Sequence, residues 1–297
     1  MALNKAVFQT RAKTAIVYAV IMLTGLFWNE WSFFMLFSLV HFGAWYEFQK
    51  LSSLIHPELR WNLWYDRLLF PLIGWGVMLM ASAGSLQVNG MLLSDLGYYL
   101  VRVGLLLIPL NFFINKQFSF KHLKQFVLGF FYISVSLALL INLRSGWIWS
   151  QVHDSGFLSH ALSGFNGKTM CILLVVGIWI NDTMAYIVGS LIGKTPLTSW
   201  SPKKTWEGTI GGIILSSGLI LLIALWRFEP SWALLIIALV NAISGTFGDL
   251  VESKLKRIAG VKDSGSFMPG HGGFLDRFDS ILLAAPAVWL VCYLLFR

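Results

Sequence analysis

Apolar residues in this chain run in long stretches, and polar residues gather in short breaks between them. Neither strict alternation nor a 3.6-residue polar stripe dominates, so most segments are apolar on every face, as in membrane-spanning helices. Windows long enough to cross a bilayer, which takes about 20 residues, predict nine helices. These cover approximately 13–28, 31–49, 68–86, 98–115, 125–143, 168–192, 208–227, 231–250 and 280–296. The fold class expected is all-α, a polytopic integral membrane protein.

Composition supports this reading. Of 297 residues, 57% are hydrophobic and 12% charged, whereas a soluble domain carries roughly 25% charged residues. The net charge of +8 would suit nucleic acid in a soluble protein. Here the cations fall between apolar runs and read as orientation signals, and no nucleic-acid partner is expected. With the N-terminus in the cytoplasm, the inside segments hold Lys5, Arg11, Lys13, Lys50, Arg60, Arg67, Lys116, Lys121, Lys124, Lys194, Lys203, Lys204, Lys254, Lys256, Arg257, Lys262 and Arg277. Those are 17 of the 22 basic residues; Arg102, Arg144, Lys168, Arg227 and Arg297 remain for the outside segments and helix ends. An odd helix count leaves the C-terminus outside. The basic start resembles a signal peptide, but Trp28-Asn29-Glu30-Trp31 follows the first run in place of a small-residue cleavage site, so a retained first helix is expected. Cys171 and Cys292 lie in apolar runs and suggest no disulfide or thiolate metal site.

The chain divides by composition. Residues 1–166 read as an N-terminal region of helices joined by unremarkable loops. Residues 167–297 place Gly, Asp and Lys in or beside the helices and read as the catalytic region. Its densest stretch begins at Gly248-Asp249. If that helix continues, Ser253 and Lys256 follow on the face of Asp249. A loop rich in glycine and charge comes next, through Lys262-Asp263-Ser264-Gly265 to Pro269-Gly270-His271-Gly272-Gly273. Asp276 and Asp279 then open the last helix on one face. Carboxylates without soft ligands suit Mg²⁺, Lys and Arg suit phosphate oxygens, and a glycine turn ahead of a helix N-terminus favours phosphate. Together these are parts of a phosphoryl- or nucleotidyl-transfer site. The plainer reading is a solvated loop whose charges pair with each other and with lipid headgroups.

Two further clusters point the same way. Asp182 lies in Asn181-Asp182-Thr183-Met184, about eleven residues or ~16 Å from its helix end, where an ionisable side chain is expensive and suggests function. An interhelical hydrogen bond is the structural alternative. Gly189 and Gly193 form a small-xxx-small pair suited to close helix packing. In Ser201-Pro202-Lys203-Lys204-Thr205-Trp206-Glu207-Gly208, Ser201 reads as an N-cap and Pro202 as the first helical residue, with both lysines beside an anion-attracting helix start. His41 reads as a hydrogen-bonded interior histidine, and Glu47 as a carboxylate near the cytoplasmic helix end that reaches water.

At Ser253, Lys256-Arg257, Lys262-Asp263, Pro269 to Gly273 and Asp276-Arg277-Phe278-Asp279 the chain resembles the phosphatidate cytidylyltransferase, or CDP-diacylglycerol synthase, family. The resemblance is strong over 178–281 and only topological over 1–166. It implies transfer of CMP from CTP to phosphatidic acid, giving CDP-diacylglycerol and pyrophosphate, in a multi-pass protein of the inner membrane with its site facing the cytoplasm. It implies Mg²⁺ held by Asp249 and Asp276, with a second cation nearby, and a homodimer. The catalytic set it suggests is Asp182, Asp249, Lys256, Arg257, Asp276 and Arg277. The substrate-binding set is Ser201, Lys203, Lys204, Ser253, Lys262, His271, Gly272 and Gly273, with His271 positioning or contacting phosphate. Two rivals are a CTP-dependent lipid kinase of the polyprenol or phytol type, and a transporter whose carboxylates line an ion path. The latter should show repeated halves and broken helices, which the sequence does not display.

Overall fold

The computed structural model describes residues 5–59, 64–115, 118–145, 166–227, 232–267 and 272–295. In chain order these form α1 (Lys5–Phe27), α2 (Glu30–Ile55), α3 (Trp64–Ala81), β1 (Gln87–Val88), β2 (Met91–Leu92), α4 (Leu93–Ile114) and α5 (Phe120–Ser145). Then come α6 (Gly167–Ile192), β3 (Pro196–Thr198), β4 (Ser201–Thr205), α7 (Trp206–Arg227), α8 (Trp232–Ile258) and α9 (Leu275–Leu295). Among the described residues six helices, α4 to α9, are long and apolar enough to cross a membrane, and Ile16–Phe27 and Arg67–Ala81 are shorter apolar helical stretches. The protein is an all-α, multi-pass membrane protein, and its described residues include two small antiparallel ribbons.

Local chemistry explains most boundaries. Asn29 caps α2 by accepting from Ser32 N at 2.8 Å, while Ser32 Oγ accepts from Asn29 N at 3.0 Å, the reciprocal capping pair. Asn166 caps α6 by accepting from Thr169 N at 2.9 Å and from Thr169 Oγ1 at 3.1 Å. The expected third helix runs to residue 86, but α3 stops at Ala81, because Ala83 and Gly84 take φ of 47° and 82°. The β1–β2 ribbon, not expected from the hydrophobic windows, turns on Asn89-Gly90 at φ 49° and 81°, the residue pair that a tight primed turn demands.

The described residues pack as two compact units. The first draws on Met1–Met80, Gly84–Val135 and Leu255–Phe278. Its core is aromatic: Phe33, Phe37, Val40, Ala44, Phe48 and Leu51 recur on one buried face of α2. The Phe70 and Phe126 rings stack at 4.3 Å, and Phe126 in turn stacks with Trp45 at 6.4 Å. A π-helical segment, Phe130–Val135, interrupts α5. Within it Ser134 Oγ accepts from Trp45 Nε1 at 2.9 Å and lies 3.0 Å from His41 Nε2. His41 is thus the buried, hydrogen-bonded histidine expected.

The second unit draws on Ala81–Ala83, Ser136–Lys254 and Asp279–Arg297. Here small residues let helices meet. A Cβ on Gly208 would fall 2.9 Å from Gly189 Cα and 2.7 Å from the Ala185 carbonyl oxygen; one on Gly212 would fall 2.8 Å from Ala185 Cβ. This seam joins α6 to α7 at Gly189, as expected of that residue, whereas Gly193 lies past the end of α6 as its C-cap. Asn241 Nδ2 donates to Leu174 O at 3.0 Å and Asn181 Nδ2 to Thr246 Oγ1 at 3.1 Å, fixing α6 against α8. Both cysteines are buried, and Cys171 Sγ lies 3.7 Å from Leu140 O.

Candidate active site

The candidate side chains fall into two clusters, one in each unit. In the second unit, α6, β4, α8 and α9 supply Asp182, Lys204, Asp249 and Asp279. Gly248 allows the approach: a Cβ there would fall 2.9 Å from Ser280 Cα, so α8 runs tight against α9 beside Asp249 and Asp279. Asp249 forms an ion pair with Lys204 and accepts from Ser253 Oγ at 3.2 Å. Ser253 therefore lies on the Asp249 face, as the four-residue spacing predicts. Asp279 is buried, and Ser280 of its own helix donates to it through N at 2.7 Å and Oγ at 3.3 Å. Asp182 and Asp279 both lie within electrostatic range of Asp249 and Lys204. Asp182 is exposed, and among the described residues no hydrogen bond reaches its carboxylate.

Ser201 is not a helix cap. Residues 201–205 form β4, paired with β3 through Pro196↔Thr205 and Thr198↔Ser201. The cap lies four residues later, where Thr205 Oγ1 accepts from Gly208 N at 3.2 Å. Glu207 then secures the preceding turn, accepting from Lys194 N at 3.2 Å and Thr195 Oγ1 at 2.8 Å. Tertiary pairing of the ribbon overrides the local Ser-Pro signal. It also separates the two lysines, since successive strand residues face opposite sides. Lys204 turns inward to Asp249 and Lys203 is exposed. Lys254 lies 5.3 Å from the centre of the Trp200 ring in the ribbon turn, a cation–π distance.

In the first unit, Asp276 stands in the opening turn of α9. Its Oδ1 accepts from Lys256 Nζ at 2.5 Å; its Oδ2 accepts from Gly273 N at 2.8 Å and Ser264 N at 2.9 Å, with Ser264 Oγ at 3.0 Å. Gly272 takes φ +86°, and a Cβ on it would fall 2.7 Å from Asp276 Oδ2, so both conformation and space require glycine. Arg257, Lys262 and Arg277 are exposed around this loop, with Arg257 Nη1 3.4 Å from Val261 O. His271, with Pro269 and Gly270, lies outside the described residues.

Glu47 departs from the expectation that it reaches water. It is 3% exposed and accepts from Ser264 Oγ at 2.7 Å, Phe274 N at 2.9 Å and Leu275 N at 2.9 Å. A carboxylate inside an apolar run, Tyr46-Glu47-Phe48, was the signal available for it in the sequence.

Carboxylate oxygens and no thiolates make the second cluster a hard-cation donor set. Three carboxylates there answer to one lysine, which fits a divalent cation. Among the described residues no three His, Cys, Asp or Glu side chains are grouped to hold a metal by themselves. That suits an ion which takes one or two carboxylates and completes its shell with phosphates and water.

Comparison with known proteins agrees with the motif. The profile of the Cytidylyltransferase family matches residues 9–295. The phosphatidate cytidylyltransferase of Staphylococcus haemolyticus is 37% identical over 217 residues, 71% of this chain and 72% of the relative. That of Staphylococcus saprophyticus is 34% identical over 215 residues, again 71% and 72%. The chloroplastic phosphatidate cytidylyltransferase 4 of Arabidopsis thaliana is 36% identical over 181 residues, 55% of this chain and 44% of that protein, so the chain spans about half the length of this plant relative. On the breadth of these matches, the chain belongs to the cytidylyltransferase family, whose members are nucleotidyltransferases.

Proposed function

We propose that the protein transfers CMP from CTP to phosphatidic acid, giving CDP-diacylglycerol and pyrophosphate in phospholipid synthesis. The observation that carries this is the charge-dense motif of α8, the following loop and α9 in a membrane-embedded chain, in a sequence that matches relatives named phosphatidate cytidylyltransferases over 71% of its length. The lipid phosphate is itself an anionic nucleophile, so attack on the α-phosphorus of CTP needs no strong general base, and none of the carboxylates has to serve as one. Lys203, Lys256, Arg257, Lys262 and Arg277 supply cations for the phosphates of both substrates. Mg²⁺, when bound, would neutralise phosphate charge and ease the departure of pyrophosphate. Asp249 is the best-placed residue to hold it, since it sits among Asp182, Asp279 and Lys204; the family resemblance adds Asp276.

The apolar windows support nine spans, the partition of basic residues supports a cytoplasmic N-terminus and a site facing the cytoplasm, where CTP is available, and the resemblance implies the inner membrane. A homodimer follows from the resemblance alone. The lipid-kinase alternative would leave the lipid without cytidine. One experiment addresses activity and orientation together. Sealed inside-out vesicles containing the protein, given phosphatidic acid, Mg²⁺ and CTP labelled in the cytosine ring, should place label on lipid, and right-side-out vesicles should not. Label remaining as CDP would indicate a kinase, and labelling only of right-side-out vesicles would reverse the orientation.

A further inference from the structure

Glu47 has no part in the motif, yet it is the residue to which the motif loop is fastened. Its carboxylate projects from the C-terminal half of α2 and meets three donors more than two hundred positions along the sequence: Ser264 Oγ, Phe274 N and Leu275 N. The last two amides belong to the start of α9, where intrahelical acceptors are lacking. The surroundings are shaped to this one side chain. A Cβ on Gly265 would fall 2.6 Å from Glu47 Cδ, and one on Gly273 2.5 Å from the same atom. One turn earlier on α2, Gly43 leaves room for the Phe274 ring, with a Cβ there falling 2.6 Å from Phe274 Cε2.

The contact reaches the reacting groups through a single hydroxyl. Ser264 Oγ lies 2.7 Å from Glu47 Oε2 and 3.0 Å from Asp276 Oδ2. A hydroxyl carries one proton, so it donates to one carboxylate at a time. With that proton on Glu47, Asp276 keeps Lys256 and two backbone amides as its donors. We infer that Glu47 is a positioning residue: it clamps the loop and the first turn of α9 so that Asp276, Lys256 and the Gly272-Gly273 backbone are held in the geometry the transfer requires. The inference rests on the proposed cytidylyl transfer for its kinetic readout but not for its structural one.

The test compares wild type, Glu47→Gln and Ser264→Ala as purified full-length proteins in one detergent. It measures kcat and KM for CTP together with backbone hydrogen exchange. Gln cannot accept at both carboxyl positions, and its amide meets at least one of the three donors head-on. Glu47→Gln should lower kcat by at least about tenfold, as loss of alignment does, and leave KM for CTP within about threefold. Exchange should quicken in peptides covering 259–276 and stay unchanged in peptides covering 33–45 of α2. Ser264→Ala, which leaves Glu47 its two backbone donors, should show the same pattern at smaller amplitude. A kcat for Glu47→Gln within twofold of wild type would overturn the inference. So would quickened exchange along α2, which marks general loosening, or a change confined to KM, which marks substrate contact. If Glu47→Gln does not fold, an unchanged kcat for Ser264→Ala overturns it. If wild type itself makes no cytidylyl lipid, the proposed function fails, and the exchange pattern still decides whether Glu47 clamps the loop.

Discussion

The clusters around Asp276 and Asp249 are built on opposite principles. At Asp276 every carboxylate oxygen has donors: a lysine on one, two backbone amides and a nearby hydroxyl on the other. At Asp249 carboxylates outnumber cations, with Asp182 and Asp279 close enough to feel it and Lys204 the cation they share. A saturated carboxylate is costly to disturb because its donors are left buried and unpaired. A carboxylate-rich cluster is costly to leave as it is, since like charges repel until a cation joins them. The first arrangement suits a scaffold that must hold still, and the second suits a place that something positive enters.

The largest effects should come from removing the two carboxylates that the family resemblance assigns to Mg²⁺. Asp249→Asn and Asp276→Asn should each lower turnover by at least about 10², a barrier increase of roughly 2.7 kcal/mol. If both act on one cation, the double variant should lose little more than either single one. Activity should vanish with chelator and return with Mg²⁺. The measurement is a double-mutant cycle at saturating CTP and Mg²⁺. Losses that multiply, with metal affinity unchanged in both variants, would mean that the two carboxylates do not share a cation.

A smaller loss is expected at Asp182. It lies within a span, hydrogen-bonds to nothing among the described residues and is near Asp249 and Lys204. Asp182→Asn should cost at least about tenfold in turnover while the protein still inserts and purifies, because a carboxylate at that depth is better explained by substrate or metal than by packing. Near-wild-type turnover would make the open cluster one carboxylate smaller.

The smallest effect calibrates the others. Glu58 is exposed, and a hydrogen bond from Lys121 at 2.8 Å holds its carboxyl below the ordinary glutamate range. A depressed carboxyl contributes stability above its unfolded-state pKa and loses it as pH falls through the folded value. An exposed pair is screened by solvent and salt. Glu58→Gln should therefore leave both turnover and Tm at pH 7 unchanged within error. A clear fall in either would show that cations around α5 matter more than burial indicates.

Periodicity and helix chemistry made part of this legible in advance. Ser253 on the face of Asp249, Asp276 and Asp279 opening one helix, and Gly189 at a helix seam all depend on spacing within one element, which a sequence displays. What escaped depends on partners far along the chain. The residues 201–205 became a strand because 196–198 lie ready to pair with them, and Thr205 then took over the capping role given to Ser201. Glu47 read as solvated because nothing within α2 satisfies it; its donors lie 217 and more positions away. The short ribbon at Asn89-Gly90 was legible as turn chemistry, but windows of apolar content pass over a feature six residues long.

The π segment of α5 carries a consequence for insertions and deletions. A π turn holds more residues than an α turn, so Phe130–Val135 amounts to a local insertion absorbed into the helix. Deleting one residue there would let the helix return to α turns while the faces on either side keep their register. Leu137, Leu140, Ile141 and Leu143 would stay inside. A deletion from a regular α turn a few residues further on would instead rotate everything beyond it by about 100° and swing those side chains off their present face. A relative one residue shorter at this point could therefore keep the same buried stripe along the second half of the span, and an alignment that moves the gap elsewhere in the helix would pair faces that never occupy the same place.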